Sequence, residues 1–143
     1  DFELEAIIEQ IENLPPVKGR MEKVQSALPI EMYIDYAHTP DAIEKAIEAA
    51  MPYKKPGSKI IFLIGTGGNR DTMKRPDMGK KASAADYVVL TTDDPRYEEY
   101  DSITSGMEKG MLHENYQIIG NTKYPHSDAQ IAIEAGKVKF GIK

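Results

Sequence analysis

Three short polar segments hold most of the chemistry available to this sequence. In Gly65-Thr66-Gly67-Gly68-Asn69-Arg70-Asp71 a glycine-rich turn leads to Arg70, and Lys74 and Arg75 follow closely. Glycines let backbone amides approach a ligand and clustered cations favour an anion, with an ordinary tight turn as the alternative. The segment has neither the Gly-Lys-Ser/Thr of a Walker A loop nor the spaced glycines of a dinucleotide fingerprint. Asp93-Asp94-Pro95-Arg96 sets two acids beside a guanidinium. That arrangement suits the ammonium and carboxylate of a zwitterionic amino acid. Composition alone favours the plainer reading, a turn that caps the next helix with Arg96 in solvent. Asp35-Tyr36-Ala37-His38-Thr39-Pro40-Asp41 combines a phenol, an imidazole and acids, which suit the base and ribose of a nucleotide. A lone histidine is more often a structural hydrogen-bonder. The three histidines lack ligand spacing, so no metal site is expected, and no Gly-x-Ser-x-Gly elbow marks a nucleophile.

The elements flanking these segments explain how they would meet. Phe2, Leu4, Ile7, Ile8, Ile11 and Leu14 recur at three or four residues, predicting an amphipathic helix that Pro15 and Pro16 end. Residues 17–25 read as a short strand or a loop leading into one, and 32–37 as a strand. Thr39 is the expected N-cap of a helix with Pro40 at its first position. The apolar run Ile60-Ile61-Phe62-Leu63-Ile64 suits a strand buried on both faces. A helix over 76–85, a strand over 86–92, a helix over 102–112, a strand over 117–119 and a helix over 127–135 complete the pattern. Strands alternating with helices predict an α/β fold, Rossmann-like and doubly wound, with a mostly parallel sheet. Ligands of such sheets bind beyond the carboxyl ends of the strands, where segments 35–41, 65–75 and 93–96 all fall.

The whole-chain quantities narrow the function classes. With 143 residues, one domain is expected; 41% hydrophobic and 29% charged residues describe a globular chain. Eighteen basic against 23 acidic residues give a net charge of −5, which offers no general grip on nucleic acid or anionic lipid. No cysteine is present, which removes disulfides and thiolate chemistry. The longest apolar run is too short to span a bilayer and the first residues lack signal-peptide character, so a cytoplasmic location is expected.

Taken in order and spacing, Lys18-Gly19-Arg20-Met21-Glu22, then 35–41, then 65–71 with Lys74-Arg75-Pro76, and Thr92-Asp93-Asp94-Pro95-Arg96 resemble the carboxy-terminal domain of Mur ligases over roughly residues 15–110. The branch they resemble adds a diamino acid, lysine or meso-diaminopimelate, to UDP-N-acetylmuramoyl-L-alanyl-D-glutamate in peptidoglycan synthesis. The resemblance implies an ATP-dependent amide-forming ligase whose amino-terminal domain holds the UDP substrate and whose central domain holds ATP and Mg. It also implies that 1–143 is one such carboxy-terminal domain lacking the other two, inactive alone and carrying no catalytic residue of its own. By position, Arg20, Asp35 and His38 correspond to residues that approach the nucleotide. Arg70 with Asp93, Asp94, Pro95 and Arg96 corresponds to the pocket for the incoming amino acid. Two departures stand out. Asp94 replaces the asparagine usual where diaminopimelate is accepted, and the family's later Gly-Lys-Gly-His-Glu segment has no counterpart before the chain ends at Lys143, so truncation or divergence of the tail is expected. The rival reading is a stand-alone amino-acid or nucleotide binding module. Another synthetase of the superfamily, of folylpolyglutamate or cyanophycin type, is disfavoured by His38-Thr39-Pro40-Asp41 together with Asp93-Asp94-Pro95-Arg96.

Overall fold

The computed structural model describes residues 3–15, 17–25 and 29–119, without the side chains of Glu5 and Glu12. The helix expected over 127–135 and the tail after it lie outside the described residues. The chain divides into two compact units, 1–36 and 37–143.

The first unit begins with helix α1 (Leu4–Glu12), whose N-cap Glu3 makes no side-chain cap bond. Its apolar side chains Leu4, Ile7, Ile8 and Ile11 remain exposed. Strands β1 (Glu22–Val24) and β2 (Met32–Ile34) pair antiparallel, with Lys23 opposite Tyr33. Here the structure departs from the expected series, because β2 forms a separate two-stranded ribbon and does not join the parallel sheet. Two segments close in sequence can pair antiparallel through a short connection, whereas a parallel neighbour needs a long crossover.

The second unit is the α/β body. Helix α2 (Pro40–Ala50) starts as its sequence predicts, with Thr39 Oγ1 accepting the Ala42 N–H at 3.3 Å and proline in the first turn. After a 3₁₀ turn, Met51–Tyr53, come β3 (Ile61–Thr66), α3 (Arg75–Ala82), β4 (Tyr87–Thr92), α4 (Tyr100–Glu108) and β5 (Tyr116–Ile118). The three strands form a parallel sheet in the order β3-β4-β5. The central position of β4 accounts for the burial of all six of its residues. Side chains alternate across a strand, so Val88 and Leu90 face one way and Tyr87 and Val89 the other. Val88 and Leu90 join Ile43 and Ile47 of α2, Met78 and Ala82 of α3 and Met107 of α4 in one core, while Tyr87 and Val89 pack with Ile119 and Ile61. The apolar run of β3 is not buried throughout: Leu63 is 38% exposed, since β3 ends the described sheet instead of lying within it.

Helices α3 and α4 approach until backbones touch. A Cβ on Gly79 would stand 2.0 Å from the carbonyl oxygen of Met107, so only glycine admits this crossing. α3 also ends earlier than expected, where Ser83 Oγ donates to the Gly79 carbonyl at 3.0 Å. Among the described residues no helix is long and apolar enough to cross a membrane.

Candidate functional site

Parallel pairing decides where two of the three polar segments go. Thr66 and Thr92, the last residues of β3 and β4, sit opposite each other, so the loops that follow leave the same end of the sheet side by side. The ladder continues into them: the Asp93 N–H donates to Thr66 O at 3.2 Å, and the Gly68 N–H donates to Asp94 O at 2.7 Å. Gly68 is required for this approach, because a Cβ there would lie 2.0 Å from Pro95 O. Loop 67–74 and loop 93–99 therefore form one ledge.

Local hydrogen bonds shape the ledge. The Arg96 N–H donates to Asp94 Oδ1 at 3.1 Å, an Asx turn, and the Glu98 N–H donates to Pro95 O at 3.0 Å. Asn69 joins the loops by accepting the Tyr97 N–H on Oδ1 at 3.0 Å while its own N–H donates to Glu98 Oε2 at 2.8 Å. Asn69 and Arg96 both take positive φ, 49° and 51°. Asparagine adopts this left-handed conformation readily; arginine does so only where its surroundings hold it.

Beneath the ledge lies the Arg75–Glu98 pair. Nη1 of Arg75 donates to Glu98 Oε1 at 2.6 Å, and Nη2 donates to Oε2 at 2.8 Å and to the Gly67 carbonyl at 3.2 Å. The Arg75 side chain is only 3% exposed. The Arg75 guanidinium, aided by the Asn69 N–H and the Ser102 hydroxyl, holds the Glu98 carboxyl down to about 2. Its ordinary value is near 4.5, so the native state binds the proton less readily than the unfolded chain. The stability this group contributes is complete above the unfolded value and is lost as pH falls from about 4.5 toward about 2. Acid unfolding followed by circular dichroism should show that loss in the wild type and a shallower slope over the same window in Glu98→Gln.

The sequence-predicted residues are distributed as follows. Asp93, Asp94, Pro95 and Arg96 share one loop, and Arg70 follows Asn69 in the loop beside it. Arg70 and Asp93 are exposed, while Arg96 Nε lies 3.7 Å from Asp94 Oδ2, an ion pair inside the loop. The three cations of segment 70–75 do not act as one cluster. Arg75 is buried in its pair with Glu98, and Lys74 Nζ donates to the His38 carbonyl at 3.1 Å, which brings the start of the His38-Thr39-Pro40 segment beside loop 67–74. Arg20 and Asp35 belong to the first unit and His38 to the second. In the first unit the Asp35 carboxylate accepts the Met21 N–H at 2.9 Å, steadying a left-handed residue with φ 45°. The Arg20 guanidinium stands 5.7 Å from the centroid of the Tyr36 ring. An exposed guanidinium in a steadied turn suits contact with a phosphate. Among the described residues no group of three or more His, Cys, Asp or Glu is placed to hold a metal ion.

Sequence reasoning missed Glu98, Asn69 and Ser102. Asn69 carried a signal, since asparagine after two glycines favours a left-handed turn. Glu98 carried none, as one of two adjacent glutamates in a polar stretch.

Comparison with known proteins decides the family. The family described as Mur ligase, glutamate ligase domain, matches residues 19–137. The chain belongs to the Mur ligase family. Among relatives of this Mur ligase chain, UDP-N-acetylmuramyl-tripeptide synthetase 2 of Oceanobacillus iheyensis is 40% identical over 167 residues, covering 94% of the chain and 34% of the relative. The UDP-N-acetylmuramoyl-L-alanyl-D-glutamate--L-lysine ligase of Staphylococcus aureus (strain COL) is 47% identical over 113 residues, covering 79% of the chain and 22% of the relative. A solved UDP-N-acetylmuramoyl-L-alanyl-D-glutamate--2,6-diaminopimelate ligase superposes with a TM-score of 0.68 at 29% identity, covering 94% of the chain and 26% of that structure. The α/β body with its parallel sheet thus matches the Rossmann-like carboxy-terminal domain of Mur ligases. The Mur ligase chain spans 34% or less of each of these relatives.

Proposed function

We propose that this chain is the amino-acid-positioning, carboxy-terminal part of an ATP-dependent ligase that adds a diamino acid to UDP-N-acetylmuramoyl-L-alanyl-D-glutamate in peptidoglycan synthesis. The observation that carries the reading is the hydrogen bond from the Gly68 N–H to Asp94 O, which sets Arg70 and the Asp93–Arg96 loop on one ledge beyond the parallel strands. On that ledge Arg70 and Arg96 meet the carboxylates of a diamino acid and Asp93 and Asp94 meet its ammonium groups. The bound amine is thereby oriented, and the contribution to rate is positioning.

ATP, with Mg, would be held mainly by the central domain of the whole ligase, and its γ-phosphoryl group would activate the acceptor carboxylate with ADP as the leaving group. Arg20, Asp35 and His38 are each assigned to nucleotide contact: in the first unit Arg20 suits a phosphate and Asp35 holds the Arg20 turn, and in the second unit His38 is assigned separately. Names of the relatives and the paired opposite charges of the Asp94–Arg96 loop support a diamino acid over a neutral one. A cytoplasmic site of action follows from the UDP-linked acceptor.

Arg96→Ala in the full-length ligase is expected to raise KM for the diamino acid roughly tenfold, with KM for ATP changed by less than about twofold. Steady-state ATP consumption with the UDP-linked dipeptide, comparing lysine with diaminopimelate, measures both. An equal effect on the two KM values would remove Arg96 from the amino-acid pocket. Absence of turnover with either amine in the intact protein would favour the binding-module reading.

A further inference from the structure

We infer that Arg75 and Glu98 are positioning residues of the amino-acid ledge: their buried, forked ion pair fixes the distance and orientation between the loop that carries Arg70 and the loop that carries Arg96. The inference rests on the ligase reading above and adds to it two residues that touch no substrate.

The contacts of the pair are the reason. Arg75, the first residue of α3, reaches back to the Gly67 carbonyl, so it holds the start of one loop. Glu98 Oε2 takes the Asn69 N–H, the residue before Arg70, and Oε1 takes the Ser102 hydroxyl from α4 at 2.9 Å. Asn69 in turn accepts the N–H of Tyr97, the residue after Arg96. One carboxylate therefore anchors the backbone on the near side of Arg70, and through Asn69 the far side of Arg96. Both anchored segments contain a left-handed residue, Asn69 and Arg96, and for arginine that conformation must be held by its surroundings.

Geometry also separates this pair from ordinary structural ion pairs of the chain. Lys45–Glu48 and Lys23–Glu31 are exposed, and pairs of that kind contribute little. The Arg75 fork is buried and bidentate, and its Nε is buried with no hydrogen-bond partner among the described residues.

Kinetics of the full-length ligase with Glu98→Gln, Arg75→Lys and Asn69→Gly test this, each variant followed also by thermal unfolding. Gln keeps an acceptor for the Asn69 N–H but not the charge; Lys keeps the charge but not the fork; Gly keeps the left-handed backbone but not the bridge to Tyr97. Each should raise KM for the diamino acid roughly tenfold while kcat at saturating amine and KM for ATP stay within about twofold. Glu98→Asp, which retains the charge, should recover part of the loss. Asn69→Gly leaves the buried pair in place, so it reports on positioning even where a Glu98 variant folds poorly. A fall in kcat that follows the loss of folded protein, with KM for the amine unchanged, would show a structural role only and overturn the inference. Arg96→Ala separates the two layers. If Arg96→Ala raises KM for the amine and the three positioning variants do not, the inference alone fails. If Arg96→Ala has no such effect, the amino-acid reading falls and the inference with it.

Discussion

Glu98→Ala is expected to lower the unfolding free energy by on the order of 3 kcal/mol. Truncation leaves the Arg75 guanidinium, 3% exposed, without its counter-ion, and an uncompensated buried charge is far more costly than a lost surface pair. The Asn69 N–H and the Ser102 hydroxyl also lose this acceptor, but both are exposed and water replaces it at little cost. The Glu98 side chain keeps 15% exposure, so water reaches part of the vacated space and the loss stays near the lower end for a buried pair. Urea unfolding of Glu98→Ala, Arg75→Ala and the double variant supplies the check. The double variant should be less destabilised than the sum of the singles, because removing both charges leaves neither unpaired. Additive effects, or a loss below about 1 kcal/mol for Glu98→Ala, would place the pair with the exposed ones.

The same pair shows why some of this protein is readable from its residues and some is not. Local signals read well. Thr39 and Pro40 announce the start of α2, because an N-cap oxygen and a fixed φ act within one turn. The run preceding Asp93 announces β4, since a strand covered on both faces needs apolar residues at consecutive positions. The run 60–64 has the same character yet ends the described sheet, for strand order depends on partners distant in sequence. Segment 32–37 is equally apolar in part, and its first half turns into an antiparallel ribbon with β1. The charges of the glycine loop are ambiguous for a related reason. Arg70, Lys74 and Arg75 are equivalent cations in a list of residues, but only Arg75, at the start of α3, meets an acid 23 residues away and is withdrawn from the surface. Charge at a position is visible in sequence; the partner that consumes it is a property of the fold. The Asp94–Arg96 turn was legible because its two residues bond each other two positions apart, whereas the Glu98 carboxylate meets Arg75 and Asn69, 23 and 29 residues away.

Leu90→Ala is expected to destabilise the protein by about 3–4 kcal/mol, the second large effect. Leu90 is fully buried in the middle strand and belongs to the core formed with α2, α3 and α4. The glycine-mediated crossing of α3 and α4 limits how far those helices can close over the vacated volume, so most of it persists as a cavity. Leu63→Ala is the matched control: the same truncation at a 38% exposed site on β3 should cost only about 1 kcal/mol. Leu90 lies two residues before Thr92, whose pairing with Thr66 starts the ladder that carries the ledge. Because the cavity persists, the base of the Asp93–Arg96 loop stays in place, and KM for the amine should stay within about twofold despite the loss of stability. Chemical denaturation of both variants measures the contrast. Equal losses at positions 63 and 90 would contradict the placement of β4 at the centre of the body, and with it the anchoring of the ledge on that strand.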